Sequence, residues 1–193
     1  MEAAIKRNQE RITFTSGEDF PRSFLMGNGA PVVDLEKAVR DHYKDIYRFA
    51  MHLCRNQDDA ADLTQFAYEQ LTLKHREIRN PEKVKSWLNA VVYRKFIDQR
   101  RKVIRFPSVP IDEESAGSDA ATTNLSGKLD AKAALAALHE LEDDLRAPLS
   151  LFYLESIPYK EIARILDLPV GTVMSRLYRG KAKLYNRLTG NTK

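Results

Sequence analysis

The sequence predicts an all-α protein of two small helical domains joined by a flexible linker, the C-terminal one a helix-turn-helix. Three observations lead there. Apolar residues recur at helical spacing from Asp34 to about Arg101 and from about Lys128 to about Leu188, and no strand-like alternation persists. Residues 106–128 differ in composition, with Pro107, Pro110, Gly117 and Ser118 beside the acidic Asp112, Glu113, Glu114 and Asp119. Near the C-terminus, a short turn at Asp167-Leu168-Pro169 separates two amphipathic segments.

Residues 1–31 hold Gly17, Pro21, Gly27, Gly29 and Pro31 without sustained periodicity and read as a flexible N-terminal extension. The first domain, residues 32–105, opens with Asp34 as N-cap of a helix carrying Leu35, Ala38, Val39, His42, Ile46, Phe49, Ala50 and Leu53. After a break at Asn56-Gln57-Asp58, the residues Ala60, Leu63, Ala67 and Leu71 mark a second helix. Asn80-Pro81 is a turn. Ser86 then precedes a third helix, Trp87 to about Arg101, with Leu88, Val91, Val92 and Phe96 on one face. Three such helices can share a core. The second domain, residues 129–193, starts with an alanine-rich helix to Leu141. Pro148 is expected in the first turn of the next helix, where a missing N–H is tolerated, ahead of Leu149, Leu151, Phe152 and Leu154. Two shorter helices follow, Tyr159 to Leu166 and Val170 to about Leu188.

Composition excludes several function classes. No apolar stretch approaches the roughly 20 residues of a bilayer span, so no membrane association is expected. The segment Met1 to Arg11 has no apolar core, and a secretory signal is not expected either. The single cysteine, Cys54, rules out an internal disulfide, reads as a small buried hydrophobe and suits the cytoplasm. His42, His52, His75 and His139 are scattered without ligand spacing, and His52 with Cys54 lacks companions. Neither a metal nor another cofactor is therefore expected, and nothing points to an enzyme's catalytic cluster. The formal charge of +4 is mild, so its distribution carries the information.

That distribution points to nucleic acid. In the C-terminal helix pair, Ile162, Ile165, Val173, Leu177 and Leu184 make the packing stripe. Thr172, Ser175, Arg176, Arg179, Lys181 and Lys183 are then left for DNA, in the helix that would enter a major groove. Arginine suits guanine edges, while threonine and serine serve bases or phosphates. No acidic residue follows Asp167, so this end of the chain is an unopposed positive surface. The third helix of the first domain ends in a second one: Arg94, Lys95, Arg100, Arg101, Lys102 and Arg105, with Asp98 the one acid among them. Two positive modules on a linker can grip two separated DNA segments. Of the nearby aromatics, Trp87 reads as core and Tyr93 as exposed, where bases could stack on it.

The two halves together resemble the extracytoplasmic-function sigma factors, the minimal group of the sigma-70 family. Asp59-Ala60-Ala61-Asp62-Leu63-Thr64-Gln65 is similar to that family's polymerase-docking motif D-A-E-D-L-V-Q. Trp87-Leu88, Val91, Asp98 and Arg101 fall at the spacing of its promoter-melting helix. Arg146 to Glu155 and Gly171 to Leu177 resemble its second domain. The resemblance covers about residues 35–102 and 135–188. Arg94 stands where asparagine is usual, Ala61 for glutamate and Ser156 for glycine, and Gly180 interrupts the usual basic run. These departures bear on promoter preference more than on family.

The resemblance implies two partners, core RNA polymerase and promoter DNA, and no cofactor. Asp59, Asp62, Leu63, Gln65, Phe66 and Glu69 would dock on the clamp of the polymerase's largest subunit, although Asp62 also reads as a solvated helix charge. Asn80, Lys83, Lys85, Ser86, Asn89, Tyr93, Arg94, Lys95, Arg100 and Arg101 would hold the melted minus-ten strand, with the Asn80–Ser86 loop and Asn89 as the base-capture site. The C-terminal helix would read the duplex minus-thirty-five element. An anti-sigma protein is a further partner that the family allows. The competing reading is a stand-alone helix-turn-helix regulator, which leaves the docking-like helix and the second basic surface unexplained.

Overall fold

The computed structural model describes residues 33–78, 80–105 and 125–189. The expected extension and most of the expected linker lie outside the described residues. Among the described residues every regular element is a helix. Helix α1 runs Leu35–Cys54 and starts where the sequence marks it, with the Lys37 amide donating to the Asp34 carboxylate at 3.0 Å. It ends as Arg55 adopts a left-handed conformation (φ 61°) and turns its N–H back to the Met51 carbonyl. Helix α2, Gln57–Lys74, follows at once because the Asn56 side chain accepts from the amides of Asp58 and Asp59. Those two aspartates also sit at the positive end of the helix dipole.

Asn80 caps a short 3₁₀ turn, Pro81–Lys83, accepting from the Glu82 amide at 3.0 Å. This turn feeds directly into α3, Val84–Arg105. The helix is longer than the sequence pattern suggests, and Ser86 lies inside it instead of ahead of it. The reason is that Val84 is itself buried and begins the apolar stripe one turn early. Ile46, Phe49, Leu53, Leu63, Leu71, Trp87, Leu88 and Val91 form the three-helix core, and Trp87 is wholly buried in it as expected.

The second domain comprises α4 (Leu125–His139), α5 (Asp143–Leu149), α6 (Tyr159–Leu166) and α7 (Val170–Leu188). Pro148 corrects an expectation. The helix starts at Asp143, so the proline falls near its end, and the chain continues as a π turn over Ser150–Leu154. Proline removes a backbone donor and crowds the preceding turn, which explains a widened helix beginning two residues later. The α6–α7 connection is a Schellman-type stop: Asp167 is left-handed (φ 53°) and the Leu168 amide reaches the Ala163 carbonyl at 2.9 Å. Val173 and Leu177 then pack on Ile162 and Ile165 in the shared core, giving the expected helix-turn-helix. Gly180 is also a packing residue, since a Cβ there would lie 2.6 Å from Leu149 Cδ1.

The two domains pack on each other, with α3 lying against α6. At about 100° per residue, Asn89 and Tyr93 point away from Val91 and the first domain's core. Asn89 is nevertheless fully buried and Tyr93 half-buried, because the second domain covers that side. Among the described residues, no helix is long and apolar enough to cross a membrane.

Candidate nucleic-acid and polymerase interface

The recognition helix α7 presents most of its expected contacts to solvent. Ser175, Arg179, Lys181 and Lys183 are exposed and Thr172 is half-exposed. The Ser175 hydroxyl donates to the Thr172 carbonyl at 2.9 Å. Lys183 is held by both oxygens of Glu142, at 2.7 and 2.8 Å, and Arg187 pairs with Glu140. The bond from Lys183 keeps the Glu142 carboxyl below its ordinary range. Arg176 differs from its neighbours. Its side chain is only 15% exposed, lies 3.9 Å from Asp144 and sits close enough to Tyr93 of the first domain for its charge to act on that hydroxyl.

On the first domain, Lys83, Lys85, Tyr93, Arg94 and Arg100 of the expected minus-ten residues gather at the seam between domains. Lys83 Nζ lies 3.2 Å from Glu161, and Arg100 Nε 3.1 Å from Asp143. Lys85 Nζ sits between Asp45 at 2.6 Å and Glu155 at 3.0 Å. Burial opposes the Lys85 charge, but hydrogen bonds to Asp45 and Glu155 outweigh it and hold its pKa above the ordinary value. Asn80 spends its side chain on the cap of the 3₁₀ turn. Tyr93, expected to be exposed, is covered, and burial pushes its hydroxyl pKa up. Arg94 lies near Asp167 and Asp98, and burial pulls its pKa down. Lys95 sits 4.2 Å over the Phe66 ring, a cation–π contact that ties α3 to α2. Ser86 and Arg101 are half-buried, and Asn89 is enclosed.

The docking motif lies along α2. Asp59, Asp62, Gln65 and Glu69 are exposed at a spacing that keeps them on one face, and Phe66 is half-buried beside them. Gln65 Nε2 donates to Glu69 at 2.9 Å. Leu63 is corrected: it is buried in the three-helix core, so it shapes the helix from inside and offers no docking surface.

Three side-chain sets at the seam carry no motif in the sequence. Arg48 donates twice to Glu155 Oε1, at 2.9 and 2.7 Å, and once to Asp45. Arg146, buried in the second domain, bonds the Leu53 carbonyl of the first at 2.7 Å. His52 Nδ1 and His139 Nε2 meet at 3.0 Å across the boundary. Cys54 is half-buried and donates to the Ala50 carbonyl at 3.0 Å, and burial raises its thiol pKa. Among the described residues, no three His, Cys, Asp or Glu side chains converge as metal ligands would.

A helix-turn-helix and a separate basic helix in one chain define a bipartite DNA-binding protein. Residues 38–105 match the model of sigma-70 region 2, and residues 131–184 that of sigma-70 region 4. The chain is 31% identical over 162 residues to the RNA polymerase sigma factor SigV of Bacillus subtilis, covering 80% of this chain and 91% of that one. It is also 31% identical over 173 residues to the ECF sigma factor SigE of Mycolicibacterium smegmatis, covering 84% of this chain but spanning 64% of that longer protein. A similar solved structure is the sigma factor RpoE of Bartonella quintana in complex with the anti-sigma factor NepR. It has a TM-score of 0.67 and 26% identity, and the match covers 81% of this chain and 97% of that one. The chain belongs to the extracytoplasmic-function sigma factors of the sigma-70 family, which direct RNA polymerase to promoters and are not themselves enzymes.

Proposed function

We propose that this chain joins core RNA polymerase through α2 and places its two basic modules on the two elements of a promoter. Asp59, Asp62, Gln65, Phe66 and Glu69 form the face offered to the clamp of the largest subunit. Arg179, Lys181, Lys183, Thr172, Ser175 and Arg176 serve the duplex minus-thirty-five element, the arginines at base edges and the lysines at phosphates. Lys83, Lys85, Lys95, Arg100 and Arg101 hold the backbone of the melted minus-ten strand, with Arg94 and Tyr93 beside them. Extruding a base costs a few kcal/mol, and capture near Asn80, Ser86 and Asn89 offsets it. The site of action is the cytoplasm, and no cofactor takes part.

The observation that supports this most is the presence, in family order, of both matched regions in one chain, each with its own basic face. Restraint by an anti-sigma protein is part of the proposal, supported by the likeness to RpoE, whose structure is a complex with one. The test is run-off transcription of fragmented genomic DNA by core polymerase with and without the chain. Discrete new starts that require both components are expected. Tight duplex binding by the chain alone, with no change in polymerase starts, would overturn the assignment.

A further inference from the structure

Lys95 stands apart from the domain seam. It follows Leu88 by seven residues and Val91 by four, so it continues the stripe of α3 that faces the three-helix core. Tyr93 and Arg100, at the seam, point about 160° and about 140° around the helix from it. Lys95 is half-buried, and its Nζ lies 4.2 Å from the centroid of the Phe66 ring. Among the described residues it pairs with that ring and with no carboxylate.

Phe66 sits in the middle of the face proposed for docking. Asp62 precedes it by four residues and Glu69 follows it by three, which puts the three side chains on one line along α2. Both acids are exposed, and Glu69 accepts from Gln65 at 2.9 Å. Two exposed carboxylates thus flank the ring, yet Lys95 lies over the ring itself, where cation and quadrupole attract. An unrestrained aromatic side chain exchanges between rotamers, and freezing one of them on binding weakens affinity. Phe66 is packed against the core below and covered by Lys95 from α3, so its orientation is set before a partner arrives. The second domain has no share in this arrangement, since both residues belong to the first.

We propose that Lys95 is a positioning residue of the polymerase-docking face, holding the Phe66 ring in the orientation that the clamp receives. The role rests on the docking reading of α2. It is exercised before any strand is melted, so the test leaves DNA out.

The experiment is fluorescence anisotropy of the full chain, dye-labelled at its C-terminus and titrated with core RNA polymerase. Lys95→Met weakens binding about threefold, the size that a partly exposed cation–π contact carries. Lys95→Arg keeps the parent affinity, because a guanidinium stacks on the same ring. Phe66→Leu weakens binding about tenfold, and Phe66→Leu/Lys95→Met binds no more weakly than Phe66→Leu alone. That last comparison separates positioning from two other effects. A lysine that only tuned the field of Asp62 and Glu69, or only stabilised the helices, would lose the same threefold in the Phe66→Leu background. If Lys95→Met melts below its parent, the arginine variant and the Phe66→Leu background decide. Lys95→Met at parent affinity would overturn the proposal while leaving Phe66 in the docking face. A Lys95→Arg chain as weak as Lys95→Met, or an undiminished loss in the Phe66→Leu background, overturns it too. Phe66→Leu binding like the parent would remove that residue from the docking face, and the positioning role with it.

Discussion

Arg146 Nη2 donates across the domain boundary to the carbonyl oxygen of Leu53, at 2.7 Å. That carbonyl lies in the last turn of α1, where helix oxygens lack partners of their own and the dipole is negative. The same guanidinium pairs with Asp143 and bonds the Leu141 carbonyl at 2.8 Å, so a buried charge is opposed on several sides. Replacing Arg146 by Leu leaves those acceptors dry and should cost about 2–4 kcal/mol. Arg146→Lys recovers only part of this, since an ammonium cannot reproduce a planar fork. Urea unfolding checks both. An Arg146→Leu chain within about 0.5 kcal/mol of the parent would show the clasp to be idle.

The His52–His139 contact makes the domain seam sensitive to acid. Burial, then the charges of His139, Arg48 and Arg146, lower the His52 pKa to about 4 from 6.5. Burial, then Arg146 and Arg55, lower that of His139 as well. The bond also needs one bare ring nitrogen, which double protonation removes. The folded state therefore binds protons less readily than the unfolded one. Its stability is fully present above pH 6.5 and is lost as pH falls from there toward about 4, by roughly 2–3 kcal/mol. Denaturant midpoints between pH 7.5 and 5 should fall for the parent and stay nearly level for a His52→Gln/His139→Gln chain. Equal slopes in the two chains would remove the histidines from the explanation.

Two glycines of α7 should respond oppositely to alanine. Gly180 faces Leu149, whose Cδ1 would stand 2.6 Å from an added Cβ, and that leucine is locked in the core. Overpacking costs about 1–3 kcal/mol, more than the gain of about 1 kcal/mol in helix propensity. Gly171 has nothing within 4 Å, so Gly171→Ala should be neutral or slightly stabilising. Thermal melts of the pair test this, and a Gly180→Ala chain that melts higher than its parent contradicts it.

On the recognition helix, exposed Arg179 and paired Lys183 should separate in run-off assays. Arg179→Ala is expected to reduce specific starts about tenfold and relax base preference at one minus-thirty-five position. Lys183→Ala should act more weakly and alike on all promoters, since Glu142 already shares its charge. Comparable losses with unchanged base preference in both would rule out base reading by Arg179.

Local structure was well written in the sequence, and long-range structure was not. Asp34 and Asn56 announce helix starts because capping is decided within three residues. The apolar spacing of Val173 and Leu177 announces the helix-turn-helix for the same reason. Leu63 was misread because a motif names residues without saying which of them face inward. Pro148 misplaced a helix start because proline is tolerated in more than one helical context. The seam was invisible: Arg48 and Glu155 are 107 positions apart, and nothing local ties one to the other. One trace was there to read. Ala90, Tyr93 and Ile97 give α3 apolar character on the side away from Leu88 and Val91, which a helix covered on one side would not need.

The pairing of Glu155 with Arg48 and Lys85 lies within a single chain, and this has a bearing on dilution. Partners on one chain meet at a local concentration fixed by the tether, however few molecules a sample holds. The seam should therefore survive dilution unchanged. Domains that part on dilution would be the signature of contacts between copies.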